Sequence, residues 1–140
     1  MRKGILATAI AVAVTAVALA PPAGATLHSR GFKSPSGKIR CFSFSDAAGL
    51  RCDIQDATYK PPKHDCHGTG DWGFSWGMGP HGRSHGNCVS DALPAIHHTL
   101  AYGKWWKHGS FRCHSQRKGV TCFNADDHGF FLSRKRVRLF

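Results

Sequence analysis

Three arginines near the carboxyl end have a spacing that suits the binding of anions. Arg134, Arg136 and Arg138 recur at every second position. An extended strand would project the three guanidinium groups from one face, about 6.6 Å apart, with Val137 and Leu139 facing inward. Each guanidinium can hold a phosphate, sulfate or carboxylate through two parallel hydrogen bonds. The row therefore predicts an anion-binding strand face.

Other cations extend this predicted surface. Arg112, Arg117 and Lys118 belong to a nearby hairpin, and the whole chain carries 19 Lys and Arg against 8 acidic residues, for a net charge of +11. Such a charge attracts anionic partners, but it also serves solubility. A solvated strand face, or a basic edge that prevents aggregation, is therefore the alternative interpretation of the arginine row.

Histidine is the second unusual residue, with ten copies in the chain. His128 follows Asp127, and together with His114 it could form the acid and base pair of a phosphodiester-cleaving enzyme. Adjacent strand residues point to opposite faces, so adjacency alone does not make Asp127 the residue that orients His128. The sequence has no nucleophile-elbow serine, no spare thiol and no suggestive carboxylate pair. It therefore favours a non-enzymatic role, with catalysis left open.

Four more histidines lie in a glycine-rich segment near Asp65 and are candidate ligands for zinc or copper. They are His64, His67, His81 and His85. Their spacing matches no strong metal motif, and the neighbouring glycines and proline oppose a helix that would bring the last two to one face. Metal binding is the weaker interpretation, and no cofactor is predicted.

Tryptophan is the third group. Trp72, Trp76, Trp105 and Trp106 stand in a chain rich in Lys and Arg, a combination that suits stacking on sugars or bases. Packing in the core is the commoner use of such rings. Because Trp105 and Trp106 would lie on alternate faces of a strand, we expect one ring at most in the core, with the other covering a surface or binding.

Two similar hairpins are expected to position these groups. Residues 37–43 and 49–52 match residues 109–115 and 119–122. Each copy reads Gly, any residue, large apolar, Arg, Cys, any residue, Ser, a polar turn, then Gly, branched apolar, polar, Cys. Alternation places the large apolar residue and both cysteines of each copy on one face.

The six cysteines are predicted to form three disulfides in an oxidising compartment. Sequence alone permits many connectivities, but adjacent antiparallel strands would bring the two cysteines of each hairpin within bridging distance. The predicted pairs are Cys41 with Cys52, Cys113 with Cys122, and by remainder Cys66 with Cys88.

The amino terminus has the layout of a cleavable signal peptide, predicted for residues 1–25. Arg2 and Lys3 precede an apolar run over residues 5–20, and small residues precede the expected cleavage point. The run is shorter than a membrane-spanning helix and no stop-transfer pattern follows it, so no integral membrane span is expected. Residues 26–140 are then one secreted domain, extracellular or associated with the cell envelope.

Short strand patterns separated by turns predict a small all-β domain, a disulfide-stapled sandwich or open barrel of antiparallel hairpins with little helix. Residues 129–133 and 137–140 are predicted closing strands, and Trp72, Phe74 and Trp76 alternate as one short strand. The sole candidate helix lies in residues 90–102 and is limited by Pro94.

Several segments resemble a family of small secreted actinobacterial proteins of unknown function with six cysteines. The segments are residues 32–41, 102–103, 109–113, 119–124, 128–130 and 133–134. The chain departs from that pattern at Lys38, where members often carry Asn, and at Asp127, where they often carry Gly. The resemblance implies secretion and three disulfides, and it supplies no activity, substrate or catalytic residue.

Three functions remain. The leading hypothesis is an exported, non-enzymatic binding module whose basic surface engages an anionic envelope polymer, a lipid headgroup or a nucleic acid. A small secreted phosphodiesterase that uses His114 and His128 is the first alternative. The second is a protein-interaction module, such as an inhibitor or effector, that presents the loop of residues 66–88 on a rigid frame.

Overall fold

The computed structural model describes residues 30–45, 48–68 and 70–140, which form ten β-strands. The strands are β1 (Gly31–Lys33), β2 (Ile39–Ser45), β3 (Gly49–Ile54), β4 (Ser75–Met78), β5 (His85–Gly86), β6 (Trp105–His108), β7 (Phe111–Gln116), β8 (Gly119–Phe123), β9 (Gly129–Ser133) and β10 (Arg136–Leu139). The predicted signal peptide, residues 1–25, lies outside the described residues. Those residues include no helix of the length and apolarity that crossing a membrane requires.

Two five-stranded antiparallel sheets make up the architecture. The N-terminal sheet has the order β1-β2-β3-β4-β5 and the C-terminal sheet has the order β10-β9-β8-β7-β6, so each strand pairs with its neighbour in sequence. The two sheets share one core of aliphatic, aromatic and cystine side chains. The predicted all-β fold is confirmed, in its sandwich form.

The short helix predicted within residues 90–102 is wrong, because this segment contains no helix. Its backbone pairs with β1 instead. The Lys33 N–H donates to the His98 carbonyl at 2.9 Å, and the Leu100 N–H donates to the Lys33 carbonyl at 2.9 Å. These bonds bury Leu100 in the core, which an isolated turn of helix around Pro94 would not do.

The two sheets are copies of one five-stranded meander. In each, two directly paired cysteines occupy the second and third strands, and a large aromatic residue flanks them on either side. The equivalent rows are Phe32, Cys41, Cys52, Trp76 and Gly86 in the N-terminal sheet, and Trp106, Cys113, Cys122, Phe130 and Leu139 in the C-terminal sheet. The repeat seen in the hairpins therefore extends over all ten strands.

Equivalent residues of the two meanders touch at the centre of the sandwich. The rings of Phe32 and Trp106 have centroids 5.2 Å apart. The sulfur atoms of Cys52 and Cys122 are 4.0 Å apart. Contacts between equivalent positions are what an approximate two-fold axis between the sheets would produce.

The two ends of the sandwich follow the same symmetry. At one end the Thr58 N–H donates to the Arg134 carbonyl at 2.7 Å, and at the other end the Ala125 N–H donates to the Pro80 carbonyl at 3.1 Å. Each bond joins the connection after the third strand of one meander to the connection after the fourth strand of the other. The ends are therefore equivalent in backbone, and their side chains can be compared directly.

Steric contacts explain why the second glycine of the hairpin pattern occurs in both copies. Gly49 and Gly119 have φ values of 98° and 148°. A Cβ atom would lie 2.7 Å from the Met78 carbonyl oxygen at the first position and 2.4 Å from the Leu132 carbonyl oxygen at the second. Only glycine lets the third strand of each meander begin this close to the fourth.

The three predicted disulfides are confirmed. Cys41 and Cys52 face each other across β2 and β3 with Cα atoms 4.0 Å apart, and Cys113 with Cys122 repeats this at 4.1 Å. The third disulfide joins Cys66 to Cys88 and ties the long connection between β3 and β4 to the segment after β5.

The closing strands lie where they were predicted, but the arginine row is interrupted. Arg134 lies in the turn between β9 and β10, so the prediction that it shares a strand face with Arg136 and Arg138 is wrong. The hairpin requires turn residues at this point, and they take Arg134 out of the alternation. Val137 packs against the core as predicted, whereas Leu139 on this edge strand is 42% exposed.

Candidate anion-binding groove

A groove of about 630 Å³ opens at one end of the sandwich. Three turns line it: the β1–β2 turn of the N-terminal sheet, and the β7–β8 and β9–β10 turns of the C-terminal sheet. Alternate turns of an antiparallel meander lie at the same end, which is why these hairpins meet. The volume is within the roughly 300–1,000 Å³ that is usual for ligand-binding clefts.

Cationic side chains dominate the groove. They are Lys38, Arg117, Lys118, Arg134, Lys135 and Arg136. Four of them occupy the two-residue turns of the C-terminal sheet, where short connections keep side chains out of the core. Cations from three turns and both sheets therefore converge on one cleft.

Serine hydroxyl groups fix the turns that present these cations. The Ser34 side chain is buried, and its Oγ accepts the Ile39 N–H at 3.1 Å, which closes the turn that carries Lys38. The Ser133 Oγ accepts the Arg136 N–H at 3.2 Å and donates to the Arg136 carbonyl at 3.1 Å. Such local bonds hold a turn in one conformation.

Asp56 is the carboxylate that approaches the groove. Its Oδ2 lies 2.5 Å from the Lys38 ammonium group, and its carbonyl accepts a bond from the Arg134 Nε at 3.1 Å. The hydrogen bond from Lys38, followed by the charge of Lys38 and, more weakly, that of Arg134, holds the pKa of Asp56 below its usual value. Asp56 thus orients two groove cations and neutralises one.

Four of the other groove cations have no carboxylate partner among the described residues. Within the described ranges, no ion pair involves Arg117, Lys118, Lys135 or Arg136. The remaining paired aspartates lie elsewhere: Asp53 and Asp91 at Arg51, Asp65 at His67, Asp126 at His81 and Asp127 at Arg112. The groove is therefore a region of net positive charge.

Apolar groups form the floor beneath these charges. Val120 and Phe131 are buried there. The Arg136 guanidinium lies 5.3 Å above the Phe131 ring, and the Arg117 guanidinium lies 5.2 Å from the centre of the Tyr102 ring. These cation–π contacts hold the guanidinium groups in place without neutralising them.

The sequence located part of this groove. Four of the six cations predicted to bind anions line it: Arg117, Lys118, Arg134 and Arg136. Arg112 and Arg138 lie further along the outer face of the C-terminal sheet, Arg112 in an ion pair with Asp127. Lys38 and Lys135 were missed. Lys135 lies in the β9–β10 turn and not in the strand that the arginine row predicts, and Lys38 reaches the groove only because the sheets pack together.

The candidate acid and base histidines are not in contact. The His114 ring stacks on Trp105 with centroids 4.5 Å apart. The His128 N–H donates to the Asn124 Oδ1 at 3.1 Å in the β8–β9 connection. In the described part of the chain, no hydrogen bond or ring contact joins the two imidazoles, and Asp127 binds an arginine instead of His128.

The candidate metal ligands are also dispersed. They are His64, His67, His81 and His85. His64 stacks on Trp72 at 4.0 Å, whereas His81 binds Asp126 at 2.8 Å across the other end of the sandwich. Among the described residues, each set of three possible ligand atoms within 4.8 Å contains cysteine sulfurs, with His64 the one histidine included. Those sulfurs belong to disulfides, so they are not thiolate ligands.

The tryptophans divide between core and surface. Trp106 is 5% exposed and Trp105 is 49% exposed, which confirms that one ring at most of this pair packs in the core. Trp76 is buried in β4, but that strand begins at Ser75, so Trp72 and Phe74 precede the strand that their alternation predicted.

A small all-β domain with three disulfides and an open basic groove is the class of protein that this fold and this site define. Three disulfides in a domain of this size are consistent with an extracellular location. The chain belongs to the family described as a family of unknown function, DUF6636, whose model matches residues 11–140. The expected membership of a family of unknown function is thereby confirmed. No curated protein and no solved structure matches the chain significantly.

Proposed function

We propose that this chain is a non-enzymatic binding module that holds an anionic polymer or surface in the basic groove. The observation that carries the proposal is the convergence of six cations on one cleft in which, among the described residues, Lys38 alone has a carboxylate partner. An envelope polymer, a lipid headgroup and a nucleic acid offer the same chemistry to this groove, namely anionic oxygens.

The opposite end of the sandwich carries fewer cations, which indicates that the groove cations serve binding and not only solubility. The connection equivalent to Arg117 and Lys118 is residues 46–48, which contain Asp46 and no Lys or Arg. The connection equivalent to the β9–β10 turn, residues 79–84, contains a single cation, Arg83. Selection for solubility alone would not concentrate the cations at one of two equivalent ends.

The composition of the groove favours binding over catalysis. Its lining contains Ser, Tyr, Gln, Lys and Arg side chains, and neither a histidine nor an aspartate is among its lining residues. Ser34 and Ser133 are engaged in holding their turns. Histidine and carboxylate side chains, the commonest general acids and bases, are therefore absent from the groove lining.

The proposal includes export to an oxidising space. The three disulfides and the signal-like pattern of residues 1–25 support it. A secreted or envelope-associated location would bring the groove to the anionic polymers and lipid surfaces found there.

Inorganic polyphosphate offers the groove anionic oxygens and no other recognition group, so its binding tests the proposal. Calorimetric titration at several salt concentrations should give an affinity that falls steeply as salt rises. The triple variant Arg117→Glu/Lys118→Glu/Lys135→Glu reverses three groove cations that are exposed in the turns. Its affinity should be weaker by at least about tenfold.

The matched control is Arg40→Glu/Lys63→Glu/Arg83→Glu, which makes the same change of net charge at exposed positions outside the groove lining. Its affinity should stay within about threefold of the wild type, because distant charges are screened. An equal loss in both variants would mean that binding follows net charge, and the groove would lose its role.

A further inference from the structure

The outer face of the C-terminal sheet is an aromatic and basic surface. It consists of the side chains that alternate with core residues in β6 to β10, together with Phe140, which follows β10 and pairs with Gly129 by backbone hydrogen bonds. Its aromatic members are Trp105, Phe123, Phe131 and Phe140. Its lysine and arginine members are Lys107, Arg112, Arg136 and Arg138. No strand residue on this face is a carboxylate. We call it the aromatic-basic face.

The rings and cations of this face are interleaved. Three of its arginines lie over three of its phenylalanines, with the guanidinium carbon 4.6, 5.3 and 5.7 Å from the ring centre. Phe123 adjoins Trp105 at 6.3 Å and Phe140 at 5.4 Å between ring centroids. The face is therefore a continuous series of flat groups and positive charges.

Two rings on this side of the molecule are open to a ligand. Trp105 is 49% exposed, and His114 covers one face of its indole, so the opposite face is available for stacking. Tyr102 is 38% exposed at the rim of the groove. Flat groups of a ligand could rest on these rings while its charges meet the arginines.

The aromatic-basic face is continuous with the groove. Phe131 and Arg136 line the groove and also belong to the face, where Arg138 is paired with Phe131 across β9 and β10. A polymer bound in the groove can therefore continue across the sheet.

The equivalent face of the N-terminal sheet is different. The position of Phe123 is taken there by Asp53, which binds Arg51 through two bonds of 2.8 and 2.9 Å. Asp91 binds the same guanidinium at 3.1 Å. Arg51 is therefore neutralised within the chain, and the three contacts between phenylalanine rings and guanidinium groups lie on the C-terminal sheet. The interleaving of rings and cations is thus a property of one copy and not of the scaffold.

We propose that the anionic polymer of the basic groove is a single-stranded nucleic acid that runs across the aromatic-basic face. Its phosphates meet the arginines of the groove and of β10, and its bases stack on Trp105 and Tyr102. The inference rests on the proposed function and adds the identity of the ligand.

The interleaving of rings and cations selects this ligand among anionic polymers. Every unpaired base has a flat face, and a positive track with aromatic platforms is the usual binding mode for single strands. A duplex keeps its bases stacked inside, and polyphosphate has no flat group, so neither would use the exposed rings. A lipid surface would be met by protruding apolar side chains, whereas three of these rings lie under guanidinium groups.

Fluorescence anisotropy with two labelled probes tests the inference. One probe is oligothymidylate of about 12 nucleotides, a length within the range that a single OB-fold binds. The other is an abasic strand of the same length and charge. The wild type should bind oligothymidylate at least about tenfold more tightly than the abasic strand. Trp105→Ala should reduce that preference by at least about fivefold. It should leave polyphosphate affinity unchanged, because Trp105 is not among the lining residues of the groove.

The matched control is Phe44→Ala/Phe74→Ala, which removes two rings that are 41% and 44% exposed and lie off the aromatic-basic face. It should keep the preference for oligothymidylate. As a second readout, oligothymidylate should quench the fluorescence of the wild type more than the abasic strand does. The difference should disappear in Trp105→Phe, which retains a ring but removes the exposed indole.

Each outcome decides between the two proposals. Equal affinity for the two strands, with polyphosphate binding retained, would reject the nucleic acid and keep the groove as an anion site. Tighter binding to the duplex of the same length, or to vesicles of anionic lipid, would also reject it. No binding to any probe at low salt would reject the proposed function together with this inference.

Discussion

The N-terminal and C-terminal meanders share a backbone plan and differ in what connects their strands. The β3–β4 connection covers residues 55–74, whereas its equivalent between β8 and β9 covers residues 124–128. The long connection is tied down by the Cys66–Cys88 disulfide, and the short one needs no tether. The two copies therefore share a central disulfide and a glycine at the start of the third strand. They differ in their connections and in their outward side chains.

The long connection also explains a difference in the core. Trp76 stands where the second copy has Phe130, and its indole N–H donates to the Tyr59 hydroxyl at 3.0 Å. Tyr59 comes from the long connection and donates to the Gly73 carbonyl at 2.7 Å. Burial raises the pKa of Tyr59. A buried indole needs such a partner, and the short connection supplies none at the phenylalanine.

Removing a central cystine should have the largest effect on this pair of copies. Cys113→Ala/Cys122→Ala should lower the free energy of unfolding by about 3–5 kcal/mol, because the chain loses a cross-link and the core loses packed sulfur. Cys66→Ala/Cys88→Ala should cost about 2 kcal/mol, because that disulfide lies outside the core. Denaturant titrations measure both, and a larger loss at the loop disulfide would contradict the shared scaffold.

Glycine substitutions should come next and should act alike in the two copies. Gly49→Ala and Gly119→Ala should each cost about 2–3 kcal/mol, because a Cβ meets a strand carbonyl and φ is positive. Gly37→Ala is the control, since φ there is 71° and a Cβ would meet nothing within 4 Å. It should cost about 1 kcal/mol. Thermal unfolding of the three variants would show whether the copies respond equally.

The substitution Tyr59→Phe should have a smaller effect, confined to one copy. It leaves the Trp76 N–H without its partner and should lower the free energy of unfolding by about 1 kcal/mol. Tyr102→Phe, which removes an exposed hydroxyl, should leave stability unchanged. If Tyr59→Phe also proved neutral in denaturant titrations, the long connection would not support the larger ring.

The smallest effect concerns pH and the end of the sandwich opposite the groove. The hydrogen bond from His81, followed by that from the Gly82 N–H, holds the pKa of Asp126 below its usual value of 3.8. The unfolded chain then takes up the proton first as pH falls, so this stabilisation is present above the usual value and is lost as pH falls through the folded pKa. Melting temperatures from about pH 5 to pH 2 should fall less steeply for Asp126→Asn than for the wild type. Parallel curves would show that this contact adds nothing.

The sequence predicted the parts of the fold that local patterns encode. Cysteine spacing and alternation predicted the two hairpin disulfides, and the third pair followed by remainder. The turn and strand signals predicted the closing hairpin. The failed helix shows the limit, because whether Leu100 joins a helix or pairs with β1 depends on a strand far away in sequence. Local propensity cannot weigh that competition.

The groove was also only partly predictable from local sequence patterns. The sequence identified Arg117, Lys118 and Arg134 in the two C-terminal turns, since the cations cluster along the chain there. It could not place Lys38 among them, because the groove forms only when the two sheets pack. Nor could it show that Phe123 and Asp53 occupy equivalent positions in the two sheets, because this equivalence depends on the strand register.

The contacts between Phe32 and Trp106, and between Cys52 and Cys122, have a consequence for the origin of the molecule. Equivalent residues that meet on an axis are the mark of an isologous homodimer, so a single meander could once have paired with a second copy of itself. In a homodimer every substitution occurs twice. Fusion of the two genes would have released that constraint, and one copy could then gain aspartates and a long connection while the other kept short connections and a strongly basic exterior.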